Sequence, residues 1–555
     1  MGAHEGMQNK IGRRNGNMKN HKKILAFLIT LTLMIVSIFY FSTHKTAAIS
    51  ASAIQKTDFL NFKTIVNIPV SRDGIEYTGM VGYGSHEGPN AFAVKGDKVY
   101  VLDNVHHRVL VYSKRDGNLI EKNNIPDEQW IHGMAVDKEG KIYLFNAGTN
   151  TLITINNGAV DISTNQELRL EPFYKFGVND KGPFVVLSGD KMTTCFLAKD
   201  INKSKLYVAE EREGVFSSDG SVSEVKASAC KASVDASDAF EFPRWLVNED
   251  CAYDYIGKRG FIQFWKITND YGEWIVKLNS KTKNIEGLVK IPDGKYYFPM
   301  SDAVLEGDDI FVLLPCEKNV YVLKVDSWMT SAQYMKYTES VESRVNLIES
   351  KNETIQFTEQ TKYTVSASSI TRDQIMSTAF QYNNYKWYCS KQNYDGSKAA
   401  NPNLWRRPSF ITSYNTYYYQ VPYCWGGGHS LSEFEQKIKD GYAAGNVYTN
   451  TSSYLDGTTG VDCAGFVSKC WGMSGRWSTY DIMKYCSKIS FIALQKGDAL
   501  CNSGHAMLFY QRDAYGNYIV YESTTGGYDR VIHRARSKSD VEGSYGAYKC
   551  PFVTN

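Results

Sequence analysis

The chain has 555 residues, 43% of them hydrophobic and 22% charged, with 44 glycines and 13 prolines. This is a globular composition that excludes a collagen-like, coiled-coil or wholly disordered chain, and its length allows roughly three to five domains. The formal charge of +3 is misleading, because residues 1–53 hold seven basic side chains and one acidic one, leaving 55 basic and 58 acidic in residues 54–555. Nothing in that balance favours a nucleic-acid partner or bulk steering of a charged substrate. Aromatics reach 13%, and the 38 tyrosines are the excess; they suit half-buried strands better than a helical bundle.

Lys10, Arg13, Arg14, Lys19, Lys22 and Lys23 precede an apolar run of 18 residues, 24–41, and Ala51-Ser52-Ala53 follows. That order is the charged, apolar, small-residue sequence of a secretory signal ending at Ala53. The run is also just long enough for a tilted span, so an uncleaved membrane anchor through residues 24–41 stands beside the cleaved signal. Either reading makes residues 54–555 extracellular, secreted or wall-associated. The eleven cysteines are an odd number. Cys195, Cys230, Cys251 and Cys316 lie before residue 331, and Cys389, Cys424, Cys463, Cys470, Cys486, Cys501 and Cys550 in the last third. Pairing within each region leaves one of the last seven as a free thiol; the alternative is that several are simply buried and reduced.

Residues 59–330 read as short strands. Ala91 to Val94, a turn at Gly96, Lys98 to Leu102 and Arg108 to Tyr112 are echoed by Gly133 to Val136, a turn at Gly140, Lys141 to Phe145 and Thr151 to Ile155. Ala93 and Ala135 stand 42 residues apart, and a third copy begins at Ala303, 210 residues from Ala93. Five such periods place three further copies between, six in all, the period of a propeller blade. An early strand at 63–68 is placed to pair with the last copy and close the ring. The segment resembles the NHL-repeat β-propellers, which implies a protein or glycan ligand across one face. His106, His107 and His132 sit in or beside the turns, where packing or turn hydrogen bonds account for them.

Residues 331–368 lack Gly and Pro and read as a linker, with short strands at 354–357 and 362–365. Thr371 then caps a helix with Gln374 as its box partner, and Ile375, Ala379 and Phe380 give it an apolar side.

Three pieces carry the chemistry. They are Val421-Pro422-Tyr423-Cys424-Trp425-Gly426-Gly427-Gly428; Gly460-Val461-Asp462-Cys463-Ala464-Gly465-Phe466-Val467; and Gly497-Asp498 followed by Ser503-Gly504-His505. Phe466, Val467 and Cys470 follow Cys463 at i+3, i+4 and i+7, one buried helical face. Cys463 therefore stands in a first helical turn, where orphan N–H groups and the dipole favour thiolate. His505 begins an alternating strand, and a turn at 513–517 returns the chain so that Glu522 comes back beside it. Cysteine, histidine and an orienting carboxylate form a nucleophile–base–orienter set. Ser523, Asn502 and His533 are the other candidates for the third place.

These pieces resemble the NlpC-type cell-wall endopeptidases, which have a papain-like fold; the match runs over Pro422 to Gly427, Asp462 to Val467 and Gly497-Asp498. The expected architecture is thus multidomain, an all-β six-bladed propeller at 59–330, a linker at 331–368 and an α+β papain-like peptidase at 369–555. The resemblance implies Cys463 as nucleophile, His505 as base and Glu522 in a place where the family often has histidine, with Tyr423, Trp425, Asp462 and Ser503 lining the substrate. It also implies hydrolysis of the γ-D-glutamyl–diamino acid bond in peptidoglycan stem peptides through a thioester, with no cofactor and no metal. A 31-residue insertion, 429–459, is long for the family; Leu431 to Lys439 reads as a helix with Phe434 and Ile438 facing in, rimming the cleft. Two rival readings are an amidase or acyltransferase acting on a non-wall substrate, and a propeller-based surface binding protein with an inactive last domain.

Overall fold

A computed structural model describes residues 59, 61–80, 83–126, 130–200, 202–216, 222–223, 225–228, 231–234, 240–248, 250–299, 301–352, 369–449 and 454–554. The chain divides into residues 1–60 and a compact body, residues 61–555. The apolar run 24–41 and the cleavage site at Ala53 lie outside the described residues. Among the described residues no helix is long and apolar enough to cross a membrane. No described helix therefore supports the membrane attachment expected through residues 24–41, or the location argued from it.

The first part of the body is built from four-stranded antiparallel meanders. Phe92–Lys95, Lys98–Asp103, Arg108–Ser113 and Leu119–Asn124 form one. Gly133–Val136, Ile142–Asn146, Thr151–Asn156 and Ala159–Thr164 form the next, and Phe173–Asn179, Gly182–Leu187, Thr193–Asp200 and Lys205–Glu213 a third. Ala252–Arg259, Ile262–Asn269, Gly272–Asn279 and Asn284–Lys290 make a fourth. In the last, Phe62–Pro69 pairs antiparallel with Asn319–Val325, which continues to Asp309–Pro315 and Ala303–Glu306. The hairpins at Gly96 and Gly307 need positive φ (+55° and +62°) at the first of two loop residues, which glycine supplies without steric penalty. Strand residues such as Val99, Val101, Leu110 and Val111 are fully buried. Phe92, Met134, Phe176 and Val304, from four meanders, line one cavity of about 130 Å³.

The closed six-bladed propeller is not formed. Among the described residues there are five four-stranded meanders, and no sheet closes on itself. Between Glu213 and Ala252 the described strands make only a two-stranded piece and a three-stranded one, while the neighbouring strands lengthen to eight or nine residues. Nor is there a discrete papain-like domain after it. Single parallel bridges, Thr164 to Lys205 and Phe173 to Arg534, join two of the meanders to the C-terminal strands in one mixed sheet of 14 strands. The Asp513 turn is seated in the first part of the body. Ser188 Oγ donates to Asp513 Oδ2 at 2.6 Å, the Tyr253 N–H donates to the Tyr515 carbonyl at 2.8 Å, and Tyr515 is buried beside Tyr174. Gln420 Nε2 donates to Glu171 Oε1 at 2.8 Å on the other side.

Residues 331–352, expected as linker, are the helix Ser331–Asn352, capped by Thr330 and Gln333; 353–368 lie outside the described residues. Its Tyr334 is fully buried against Trp274 with ring centroids 4.7 Å apart, and Asn269 Nδ2 donates to its hydroxyl at 3.0 Å. Thr371 and Gln374 form the reciprocal cap of Arg372–Asn384. The buried side of that helix is Ile375, Met376, Ala379 and Tyr382, and Phe380 is 57% exposed. All ten described cysteines are buried, and none of them is in a disulfide; Cys230 lies outside the described residues.

Tyr334→Ala is expected to lower stability by about 3 kcal/mol. Denaturant unfolding followed by tryptophan fluorescence checks this, and an unchanged midpoint would mean the helix does not depend on that anchor.

Candidate active site

The loop at 421–428 wraps the start of the helix Cys463–Cys470. Tyr423 and Val461 form a parallel bridge, the Cys424 N–H donates to the Val461 carbonyl at 3.0 Å, and the Asp462 N–H donates to the Gly427 carbonyl at 3.0 Å. Asp462 is the N-cap. Its Oδ1 accepts from the Gly465 N–H at 2.7 Å, its Oδ2 from the Gly426 N–H at 3.0 Å, and Arg476 binds both oxygens. A Cβ at Gly465 would stand 2.1 Å from the Gly427 carbonyl oxygen, so the motif's glycine is what lets loop and helix touch. Phe466, Val467 and Cys470 are fully buried, and Phe466 meets Tyr382 edge-on at 5.7 Å. The same helix packs against Ala506–Arg512 and Tyr518–Thr524.

Cys463 is the first residue of the helix and only 6% exposed. The backbone N–H groups of Ala506, the residue after His505, and of Ala464 lie near enough to its sulfur to favour the thiolate form. The buried Tyr423 side chain lies close enough to feel both the Cys463 thiol and the Asp462 carboxylate. His505 is held by Asn502, whose Oδ1 accepts from the N–H groups of Gly504 (2.9 Å) and His505 (2.8 Å). The His505 ring bonds Glu522 Oε2 through Nε2 at 2.6 Å, which leaves Nδ1 as the nitrogen not committed to that carboxylate. Cys463, His505, Glu522, Tyr423 and Asp462 thus fall in one neighbourhood. Ser503 is exposed on the turn before His505, its carbonyl accepting from Thr479 Oγ1 at 2.8 Å. Trp425 is half-buried, its N–H on the Asn446 carbonyl at 2.9 Å.

Glu522 has no solvent exposure. Burial alone would raise its pKa, but Arg534, Arg536 and His505 overcome that and hold the carboxyl well below its ordinary value. Arg534 Nε donates to Oε1 at 2.5 Å and Arg536 Nη1 to Oε2 at 3.2 Å. Both arginines went unread in the sequence, although a signal was there. On Arg530–Arg536 they alternate, and the hairpin register sets Ile532 opposite Glu522 and Arg534 opposite Val520, so Arg534 is the diagonal neighbour on the Glu522 face. Nothing in the sequence marked Arg476.

The other candidates for the third place do different work. The Ser523 hydroxyl donates to the Val461 carbonyl at 2.8 Å, Asn502 braces the backbone before His505, and His533 stacks on Tyr521 at 4.1 Å. Asp498, fully buried, accepts from Arg372 Nη1 at 2.9 Å, a structural clamp. In the insertion, Leu431–Lys439 is a helix with Phe434 and Ile438 buried. Tyr454 covers Gly426, and His429 contacts the Gly460 carbonyl through Nδ1 at 2.9 Å.

The expected thiolate is the clearest electrostatic correction. Burial first and the neighbouring Asp462 carboxylate second push the Cys463 thiol up to about 12, only partly offset by the Ala506 N–H, Arg476 and the Ala464 N–H. The helix dipole is real, but its N-cap is an anion and water is largely excluded. Among the described residues no group of three or more His, Cys, Asp or Glu side chains is placed to hold a metal ion.

No family model matches the chain, and no curated protein matches it. Among solved structures it is similar to virginiamycin B lyase from Staphylococcus aureus, with 11% identity, 47% of this chain and 87% of that one covered, and a TM-score of 0.25. It is also similar to Myxococcus xanthus glutaminyl cyclase (9% identity, 48% and 96% covered, TM-score 0.25) and Kuenenia stuttgartiensis hydrazine synthase (11%, 45% and 65%, TM-score 0.19). The resemblances to NlpC-type endopeptidases and NHL-repeat propellers are therefore withdrawn: no family model carries them, and neither a closed propeller nor a separate papain-like domain is present. What stands is coarser, a mixed β/α architecture compatible with a hydrolytic enzyme.

Two measurements test the electrostatics. Alkylation of Cys463 by iodoacetamide, read by peptide mass spectrometry, is expected to accelerate about tenfold per pH unit between pH 7 and 10; a flat rate would mean a preformed thiolate. Glu522→Gln removes the buried anion that pairs with the half-buried Arg534 and Arg536, of which Arg536 keeps Asp540, and is expected to cost about 3 kcal/mol at pH 7. Because the folded carboxyl titrates below its ordinary 4.5, its contribution is complete above that value and fades as pH falls through the folded one. The gap between wild type and variant in unfolding experiments should accordingly stay constant near neutrality and close only in acid.

Proposed function

We propose that the protein is a cysteine-dependent amidase that hydrolyses peptide amide bonds, with Cys463 as nucleophile and His505 as general base. The observation that supports this reading is that the buried Cys463 sulfur feels the backbone N–H of Ala506, the residue after His505, while the His505 imidazole is bonded through Nε2 to an ionised Glu522. Glu522 selects the tautomer with hydrogen on Nε2, so Nδ1 presents a lone pair.

The resting thiol is protonated, so deprotonation accompanies attack. The Cys463 proton passes to His505 Nδ1 as sulfur adds to the carbonyl carbon. The oxyanion is received by the Cys463 backbone N–H, free at the helix start, with the Tyr423 hydroxyl as second donor. The imidazolium returns the proton to the leaving amine and the C–N bond breaks, leaving a thioester. Water, deprotonated by His505, then attacks the thioester, releasing the carboxylic acid and restoring the thiol. Glu522 stabilises each imidazolium without taking a proton. The substrate class is a peptide, and stem peptides of peptidoglycan, cut between D-glutamate and the diamino acid, are the first to assay.

The test is product release from wall stem peptides and from unrelated acyl peptides, followed by mass spectrometry. Cys463→Ala and His505→Ala are expected to lower turnover by about 10⁴-fold or more, and Tyr423→Phe by about 10²-fold. Activity equal to wild type in Cys463→Ala would end the assignment, and turnover of acyl peptides but not stem peptides would move the substrate away from the wall.

A further inference from the structure

Away from the Cys463 site, two thiols face each other at the outer edge of the large sheet. Ser487–Ile489 and Gly546–Lys549 pair antiparallel, with Ser487 opposite Lys549, Lys488 opposite Tyr548 and Ile489 opposite Ala547. One further step of that register sets Cys486 opposite Cys550. Both backbones are held: the Cys486 N–H closes the helix Thr479–Tyr485 on the Ile482 carbonyl at 3.1 Å, and the Cys550 carbonyl accepts from the Val553 N–H at 3.2 Å. The two side chains are 8% and 0% exposed and share one apolar cluster. Each is a free thiol, and Cys550 lies near enough to Cys486 to raise its thiol, together with burial. Directly opposed residues of an antiparallel pair have Cα atoms about 4.5–5.5 Å apart, inside the span a disulfide accepts. Cys501, the nearest competitor, lies opposite Ala506 and Gly546, and its thiol is turned to the Thr479 and Asn502 carbonyls.

We propose that Cys486 and Cys550 are a disulfide site, closed by a disulfide-class oxidant such as glutathione disulfide. The more exposed Cys486, as thiolate, attacks the oxidant, forming a mixed disulfide and releasing one glutathione thiol. The Cys550 thiolate then attacks the Cys486 sulfur and releases the second. Two protein thiols lose two electrons, and the oxidant's S–S bond becomes two thiols that take up the two protons. The bond closes a loop of about 65 residues that carries His505, Glu522, Arg534 and Arg536. It also ties the helix whose Thr479 holds the Ser503 carbonyl to the last turn of the chain. The inference is independent of the proposed amidase reaction.

The experiment is a non-reducing peptide map of the full chain, reduced and then incubated with glutathione disulfide, together with a thiol titration in denaturant. The expected result is a fall from eleven titratable thiols to nine and a single cross-link joining the Cys486 and Cys550 peptides. That cross-link should vanish in Cys486→Ser and Cys550→Ser and persist in Cys501→Ser. Eleven remaining thiols, a mixed disulfide that does not resolve, or a cross-link between other cysteines would overturn the proposal. The wild-type map decides it even where a variant does not fold.

Discussion

An anion cut off from water organises the C-terminal part of this molecule. Taking a carboxylate out of solvent costs several kcal/mol even after relaxation, and Glu522 has no solvent contact at all. Two guanidiniums and an imidazole replace the lost hydration. All three donors come from neighbouring strands or strand ends, so the ion cluster also fixes strand register. A slip of one residue in Arg530–Arg536 would turn both arginines to the opposite face. The same strand bridges Phe173, which makes the charge cluster and the continuity of the large sheet parts of one constraint.

A second constraint acts on the nucleophile. Asp462 caps the helix, gathers the Gly426 loop and takes Arg476, and in doing so it places a negative charge against Cys463. Cap strength and thiolate stability oppose each other here. The cap prevails, and the resting sulfur keeps its proton. A site of this kind depends on its base at the moment of attack, where an ion-paired cysteine would not.

Local chemistry was legible in the sequence; long-range assembly was not. The Thr371–Gln374 cap, the inward Phe434 and Ile438 and the turn after Arg512 follow from patterns a few residues long, and each is present. A count across one hairpin sets Glu522 beside His505, and the two are bonded. Phe380 misled because an apolar residue next to Ala379 is not thereby on its face. Six blades are not reached because the 42-residue spacing does not continue through 214–251, where the described strands are short and differently paired. The merging of the two halves had no sequence signal at all, since one backbone bridge and a buried turn decide it. Arg534 and Arg536 belong to an intermediate class, readable once the strand register is known.

The turn at 513–517 reaches into the aromatic packing of the earlier meanders, and this has a bearing on how the polypeptide behaves when it is cleaved. A nick within 353–368 would leave two fragments interlocked through Tyr515 and Asp513, migrating as one particle until denatured. Either fragment produced alone would bare the aromatic socket or its plug, and co-production would be the route to a soluble pair.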